Sequence, residues 1–126
     1  MRKIEEQMIA TIIAQRNEFN EFQKLGIPVP SLEKNIDNTR VVTREREDGY
    51  AVTSVYLHSN LIAQFSGMPS ADGMPGVWGF TMARWATPTT KSRINAIARA
   101  FGGYGVCTRA GKHYSNGKEV SANEWF

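Results

Sequence analysis

Apolar positions between residues 88 and 103 step at helical spacing. Ile94, Ile97, Ala98 and Phe101 fall at i, i+3, i+4 and i+7, one stripe of a 3.6-residue repeat. After Pro88, Thr89 or Thr90 can cap the first turn with a hydroxyl, and Gly102-Gly103 can take the left-handed conformation that ends a helix. Lys91, Asn95 and Arg99 lie four apart on another face, with Arg93 to the side. The pattern predicts a helix with one side for packing and one for water or a partner. A second helical pattern spans residues 2–25. Met8, Ile12, Gln15, Phe19 and Phe22 follow 4-3-4-3 spacing, and Ile4, Ile9 and Ile13 widen the stripe. Leu25-Gly26 and the prolines of Ile27-Pro28-Val29-Pro30 end it. Its length, about two and a half heptads, is below the three or four of a coiled coil. Packing on its own domain is the first expectation, and a homodimer through Met8, Ile12, Phe19 and Phe22 the second.

Residues 26–38 carry two prolines, Ser31, Asn35, Asp37 and Asn38, and read as a linker. The period then changes from helical to strand-like. Arg40 to Glu47 and Tyr50 to His58 form two strands around Asp48-Gly49, a two-residue turn in which both positions favour positive φ. Ser59-Asn60 turns the chain into a third strand, Leu61 to Ser66. Residues 67–76 form a loop on composition, with Gly-Met-Pro occurring twice. Val77 to Met82 is a fourth strand whose bulky members, Trp78, Phe80 and Met82, share one side. Beyond the second helix, Tyr104 to Arg109 and Lys112 to Ser115 make a hairpin around Ala110-Gly111. Asn116-Gly117 turns again, and Val120 or Trp125-Phe126 adds an edge strand. The expected organisation is an N-terminal helix (1–25), a linker (26–38) and one α+β domain (39–126). That domain is an antiparallel meander, a helix packed on it, and a C-terminal hairpin.

Composition adds a charge asymmetry. Residues 1–72 hold eight Lys/Arg against ten Asp/Glu, a net of −2, whereas residues 73–126 hold seven against two, a net of +5. Gly73 to Lys118 contains no acid. A half-chain of one sign points to a polyanionic partner or to a solubilising surface. No apolar run is long enough for a membrane span, nothing resembles a signal peptide, and a single cysteine is consistent with a reducing cytoplasm.

Candidate chemistry is sparse. The Gly-rich segment 102–105 follows a helix instead of opening one, which is the wrong end for a phosphate. His58, His113 and Cys107 lack metal-ligand spacing, and Cys107, between Val106 and Thr108, reads as a buried inert thiol. No catalytic residue, metal or cofactor is expected. Basic residues interleaved with rings are the stronger signal, since cations neutralise phosphates and rings stack bases. The candidate binding residues are Arg84, Trp85, Thr89, Thr90, Lys91, Arg93, Asn95 and Arg99. Thr89 and Thr90 serve as caps or as donors to an oxyanion at the helix start.

The block Trp85-x-Thr87-x-Thr89-Thr90-Lys91-x-Arg93-Ile94-Asn95-Ala96, with the strands from Val55 to Phe65, resembles a family of small tailed-bacteriophage proteins. The resemblance covers about residues 38–115. It implies a phage accessory protein in the host bacterial cytoplasm. The partner is then nucleic acid, or a host protein such as a defence nuclease or nucleic-acid-handling complex that this chain inhibits. A helix-mediated assembly protein is a third reading.

Overall fold

The computed structural model describes residues 2–67 and 77–126. The order is α1 (Lys3–Lys24), β1 (Leu32–Ile36), β2 (Thr39–Glu45), β3 (Ala51–Leu57), β4 (Asn60–Gly67), β5 (Val77–Phe80), α2 (Pro88–Phe101), β6 (Cys107–Arg109), β7 (Lys112–Ser115) and β8 (Lys118–Val120). Strands β1 to β5 form an antiparallel meander in sequence order, and β6 to β8 a separate three-stranded sheet. The chain is α+β, as its pattern predicts. Apart from Gly67, the expected Gly-Met-Pro loop lies outside the described residues.

Alternation along β2 buries Thr39, Val41 and Thr43, and their partners across the ladder are Leu57, Val55 and Thr53. Helix α1 lies on that face. Met8, Ile12 and Phe19 are buried, and the polar member of the stripe, Gln15, is buried with them. Gln15 is accommodated because both ends of its amide are satisfied. Its Nε2 donates to the Val41 carbonyl at 3.0 Å, and its Oε1 accepts from Thr43 Oγ1 at 2.8 Å. Arg16 donates to Thr53 Oγ1 and lies 4.0 Å over the Phe65 ring. Burial there pulls its pKa down to about 10, which leaves it cationic at neutral pH. Gln23 Nε2 fastens the helix end to the Gly49 carbonyl at 2.7 Å. The stripe expected to serve either the domain or a second copy is therefore spent on the domain. Met8, Ile12 and Phe19 are buried against this chain's own sheet, and Phe22, the fourth residue of the expected dimer face, is half-buried.

Two further expectations are corrected. The linker ends early, because residues 32–36 form β1, paired with β2 from Leu32↔Thr43 to Ile36↔Thr39. This is a sheet-edge strand in which only Ile36 is fully buried, so its polar sequence hides it. The Asp48-Gly49 turn is one residue longer than predicted. Gly49 donates to the Arg46 carbonyl, the Asp48 carboxylate pairs with Arg46 at 3.0 Å, and of the two expected left-handed residues only Gly49 has positive φ.

Between Val55 and Tyr56 the β3–β4 register shifts, and Ile62, the unmatched residue, turns into the core. Trp78 stacks between Phe65 and Phe101 at centroid distances of 5.2 and 5.4 Å, which seats α2 on the sheet. Phe126 exchanges both backbone hydrogen bonds with Phe80, so it extends the sheet beyond β5. Val120 ends β8, so both suggested edge positions are paired.

Candidate functional site

The eight candidate residues separate into three groups around α2. One group is interior. Arg93 is 2% exposed, and its NH1 donates to Glu5 Oε2 at 2.8 Å while Nε donates to Thr39 Oγ1 and NH2 to Asn38 Oδ1. Ser92 Oγ donates to the same carboxylate oxygen at 2.6 Å. Burial pushes the Glu5 carboxyl up, but the hydrogen bonds from Ser92, Arg93 and the Arg2 backbone, with the Arg93 charge, outweigh it and hold it below the usual carboxylate range. Arg93 thus joins α1, α2 and the β1–β2 turn, and is removed from the expected contact surface. Thr90 is also buried. The cap is Thr87, two or three residues earlier than predicted. Pro88 occupies the first helical position, so the chain enters the helix there, and Thr87 Oγ1 accepts from the Thr90 N–H at 3.2 Å. Pro88 has no N–H, and Lys91 N donates to the Thr87 carbonyl, so these two positions offer no free first-turn donor. Of the two expected oxyanion donors, Thr90 is buried and committed to Thr87, whereas Thr89 is half-buried.

The second group is a ridge. Lys91, Asn95 and Arg99 share one face of α2, as their spacing predicts, and line a shallow depression with Pro88, Ser92 and Glu5. Asn95 is not free to bind. Its Oδ1 accepts from the Val106 N–H at 2.7 Å and its Nδ2 donates to the Val106 carbonyl at 3.0 Å, which clasps the segment leading into β6. Lys91 Nζ reaches Thr108 Oγ1 at 2.8 Å, so the β6–β7 hairpin lies alongside the ridge. That hairpin ends on Arg109 paired with Lys112, both exposed, and Tyr104 is 75% exposed nearby in sequence. Cys107 is exposed, not buried. All three residues of β6 face outward, because this strand pairs only with β7 and Val106 takes the core position before it. Arg84, Lys91, Arg99, Arg109, Lys112 and Lys118 make no ion pair among the described residues. The carboxylates that do pair are Glu5, Glu21, Glu33 and Asp48.

The third group lies across the start of α2. Trp85, 61% exposed, forms a wall of a groove of about 440 Å³ whose lining includes Leu57, Ile62 and Met82. His58, Asn60, Thr87 and Thr89 supply its polar atoms. Arg84, beside Trp85, is exposed and is placed by a turn in which Trp85 N donates to the Met82 carbonyl and Arg84 N to the Ala122 carbonyl. His58 and Asn60 are not singled out by the sequence pattern here. They approach Trp85 only because β3–β4 and the β5–α2 connection meet, and no periodicity records that meeting. Among the described residues no cluster of His, Cys, Asp and Glu could hold a metal, and no helix is long and apolar enough to cross a membrane.

Comparison with curated proteins and with solved structures finds no match. A family match is found over residues 31–126, which takes in both sheets and α2 and leaves out α1. That span is well over half the chain, so the protein belongs to the Kyanoviridae Gp96 protein family, a family of bacteriophage proteins.

Proposed function

We propose that this phage protein is a non-enzymatic accessory protein of the host cytoplasm. It binds a polyanion, DNA or RNA, through the ridge of Lys91 and Arg99 beside the β6–β7 hairpin. The observation that carries the reading is the set of cations on the acid-free part of the chain, exposed except for the half-buried Lys91, without carboxylate partners among the described residues. Paired cations, like Arg93, have already exchanged water for a counter-charge. Unpaired ones are free to neutralise phosphates and displace the cations condensed around a nucleic acid, and that release drives association. Lys91 and Arg99 sit two turns apart on a rigid helix, about 12 Å along its axis, so they can reach separate phosphates along one strand.

The test is fluorescence anisotropy with a labelled oligonucleotide at increasing salt. Binding should weaken steeply, with log K falling by about 0.7–0.9 per phosphate contacted for each unit of log salt. Lys91→Glu with Arg99→Glu should abolish binding while the circular dichroism spectrum is unchanged. Unaltered affinity in that variant would reject the ridge. No binding of any nucleic acid at low salt would reject the reading, and would transfer the ridge to an acidic surface of a host protein.

A further inference from the structure

The groove beside Trp85 is separate from the ridge, and nothing in the proposed phosphate contact uses it. We propose that it receives one unstacked nucleobase, with Trp85 as the stacking surface and Arg84 as the contact to the adjoining phosphate. The protein then prefers single-stranded over duplex nucleic acid. This rests on the nucleic-acid reading above.

The groove has the makeup of a small-ligand site: about 440 Å³, an apolar floor from Leu57, Ile62 and Met82, an aromatic wall, and neutral polar side chains at its edge. A nucleobase has a π-face for the Trp85 ring and an edge carrying donors and acceptors for His58, Asn60, Thr87 and Thr89. No carboxylate lines the groove, and Arg84 stands next to its wall, so the charge suits a ligand that brings a phosphate with it. Bases inside a duplex are stacked on both faces and cannot enter, whereas a single strand can splay one out.

The backbone around the groove supports a binding role. His58 and Ser59 in the β3–β4 turn have φ of 50° and 70°, and Ala83 and Arg84 before Trp85 have φ of 52° and 69°. All four carry a Cβ in a left-handed conformation that such residues avoid. The three other consecutive positive-φ pairs, Gly102-Gly103, Ala110-Gly111 and Asn116-Gly117, all place glycine second. Strain is thus concentrated at the two turns that border the groove, where His58 and Trp85 are presented, and strained backbone of this kind gathers at ligand sites.

The experiment compares a labelled single strand, the same strand carrying abasic sites, and the corresponding duplex, all binding to the full chain by anisotropy. The single strand should bind about tenfold or more tightly than the other two. Trp85→Ala should remove that difference by a similar factor while duplex affinity and its salt slope stay in place, and Trp85→Phe should restore much of it. Trp85 is largely exposed, so the folded state should survive, which circular dichroism checks. Equal affinity for all three nucleic acids, unaffected by Trp85→Ala, would overturn base insertion and leave the ridge standing. No binding of any of them at low salt would overturn both, and assign Trp85 to an apolar protein partner.

Discussion

Glu5 and Arg93, 88 residues apart in the chain, form a 2.8 Å ion pair in which both side chains are at most 4% exposed. An ion pair taken out of water costs desolvation on both sides, and it persists here because every remaining polar atom has a partner in Ser92, Thr39, Asn38 or the Arg2 backbone. Removing one member leaves the other charged and buried. Arg93→Ala should therefore destabilise the fold by about 3–5 kcal/mol, read as a lowered midpoint in urea unfolding. The paired replacement Glu5→Leu with Arg93→Met should cost much less, because it leaves no orphaned charge. Equal losses in the two variants would contradict the pairing.

The same contact predicts the acid limb of the stability curve. The folded-state pKa of Glu5 lies below its unfolded value. Its contribution is then fully present above the ordinary carboxylate range, shrinks as pH falls through that range, and is lost below the folded value. Thermal unfolding followed from pH 7 into acid should show this loss. In Glu5→Gln the acid limb should be flatter and stability at pH 7 lower. An acid limb identical to that of the parent protein would place the titration on other carboxylates.

These relationships also show how far the residues alone could be read. The stripe of α2, the β6–β7 turn and the meander follow from period and turn chemistry, which are local; the β3–β4 turn falls at His58-Ser59, one residue before the expected Ser59-Asn60. Arg93 differs from Lys91 and Arg99 only by its angular position on the helix, between the buried stripe and the outer face. What draws it inward is Glu5 on a distant segment, and no local pattern announces a partner 88 positions away. Strand β1 was hidden for the opposite reason. As a sheet edge it buries little, so its residues carry the polarity of a linker. Cys107 departs from the buried position a longer strand would give it, because its three-residue strand on a small separate sheet has no covered face.

The strained approach to Trp85 yields a stability test. Ala83 has φ of 52°, a conformation that costs a Cβ-bearing residue about 1–2 kcal/mol and glycine almost nothing. Ala83→Gly relieves this, offset by the greater freedom of glycine in the unfolded chain, and should raise stability by about 0.5–1 kcal/mol. Calorimetry would read it as a higher melting temperature. A lower one would show that the Ala83 methyl contributes more to the core than its backbone costs.

Asn95 separates a structural role from a binding one on the ridge itself. It lies between Lys91 and Arg99, yet its amide is committed on both sides to Val106. Asn95→Ala leaves the buried Val106 N–H and carbonyl without partners, which should cost about 1–3 kcal/mol of stability. Gly105→Ala attacks the same clasp from its other side. Gly105 has φ of 63°, and an added Cβ would collide with Asn95 Oδ1, so this variant should be destabilised by more than about 1 kcal/mol. Neither change touches a charge. At temperatures where both variants stay folded, their salt slopes for oligonucleotide binding should equal that of the parent protein. Lys91→Ala should do the reverse, leaving the unfolding midpoint nearly unchanged, because its one hydrogen bond to Thr108 is exposed, and reducing the slope by about one phosphate contact. Measured together, the three variants divide the outer face of α2 into the residue that holds the hairpin in place and those that meet the ligand. A reduced salt slope in Asn95→Ala would return that residue to the binding surface.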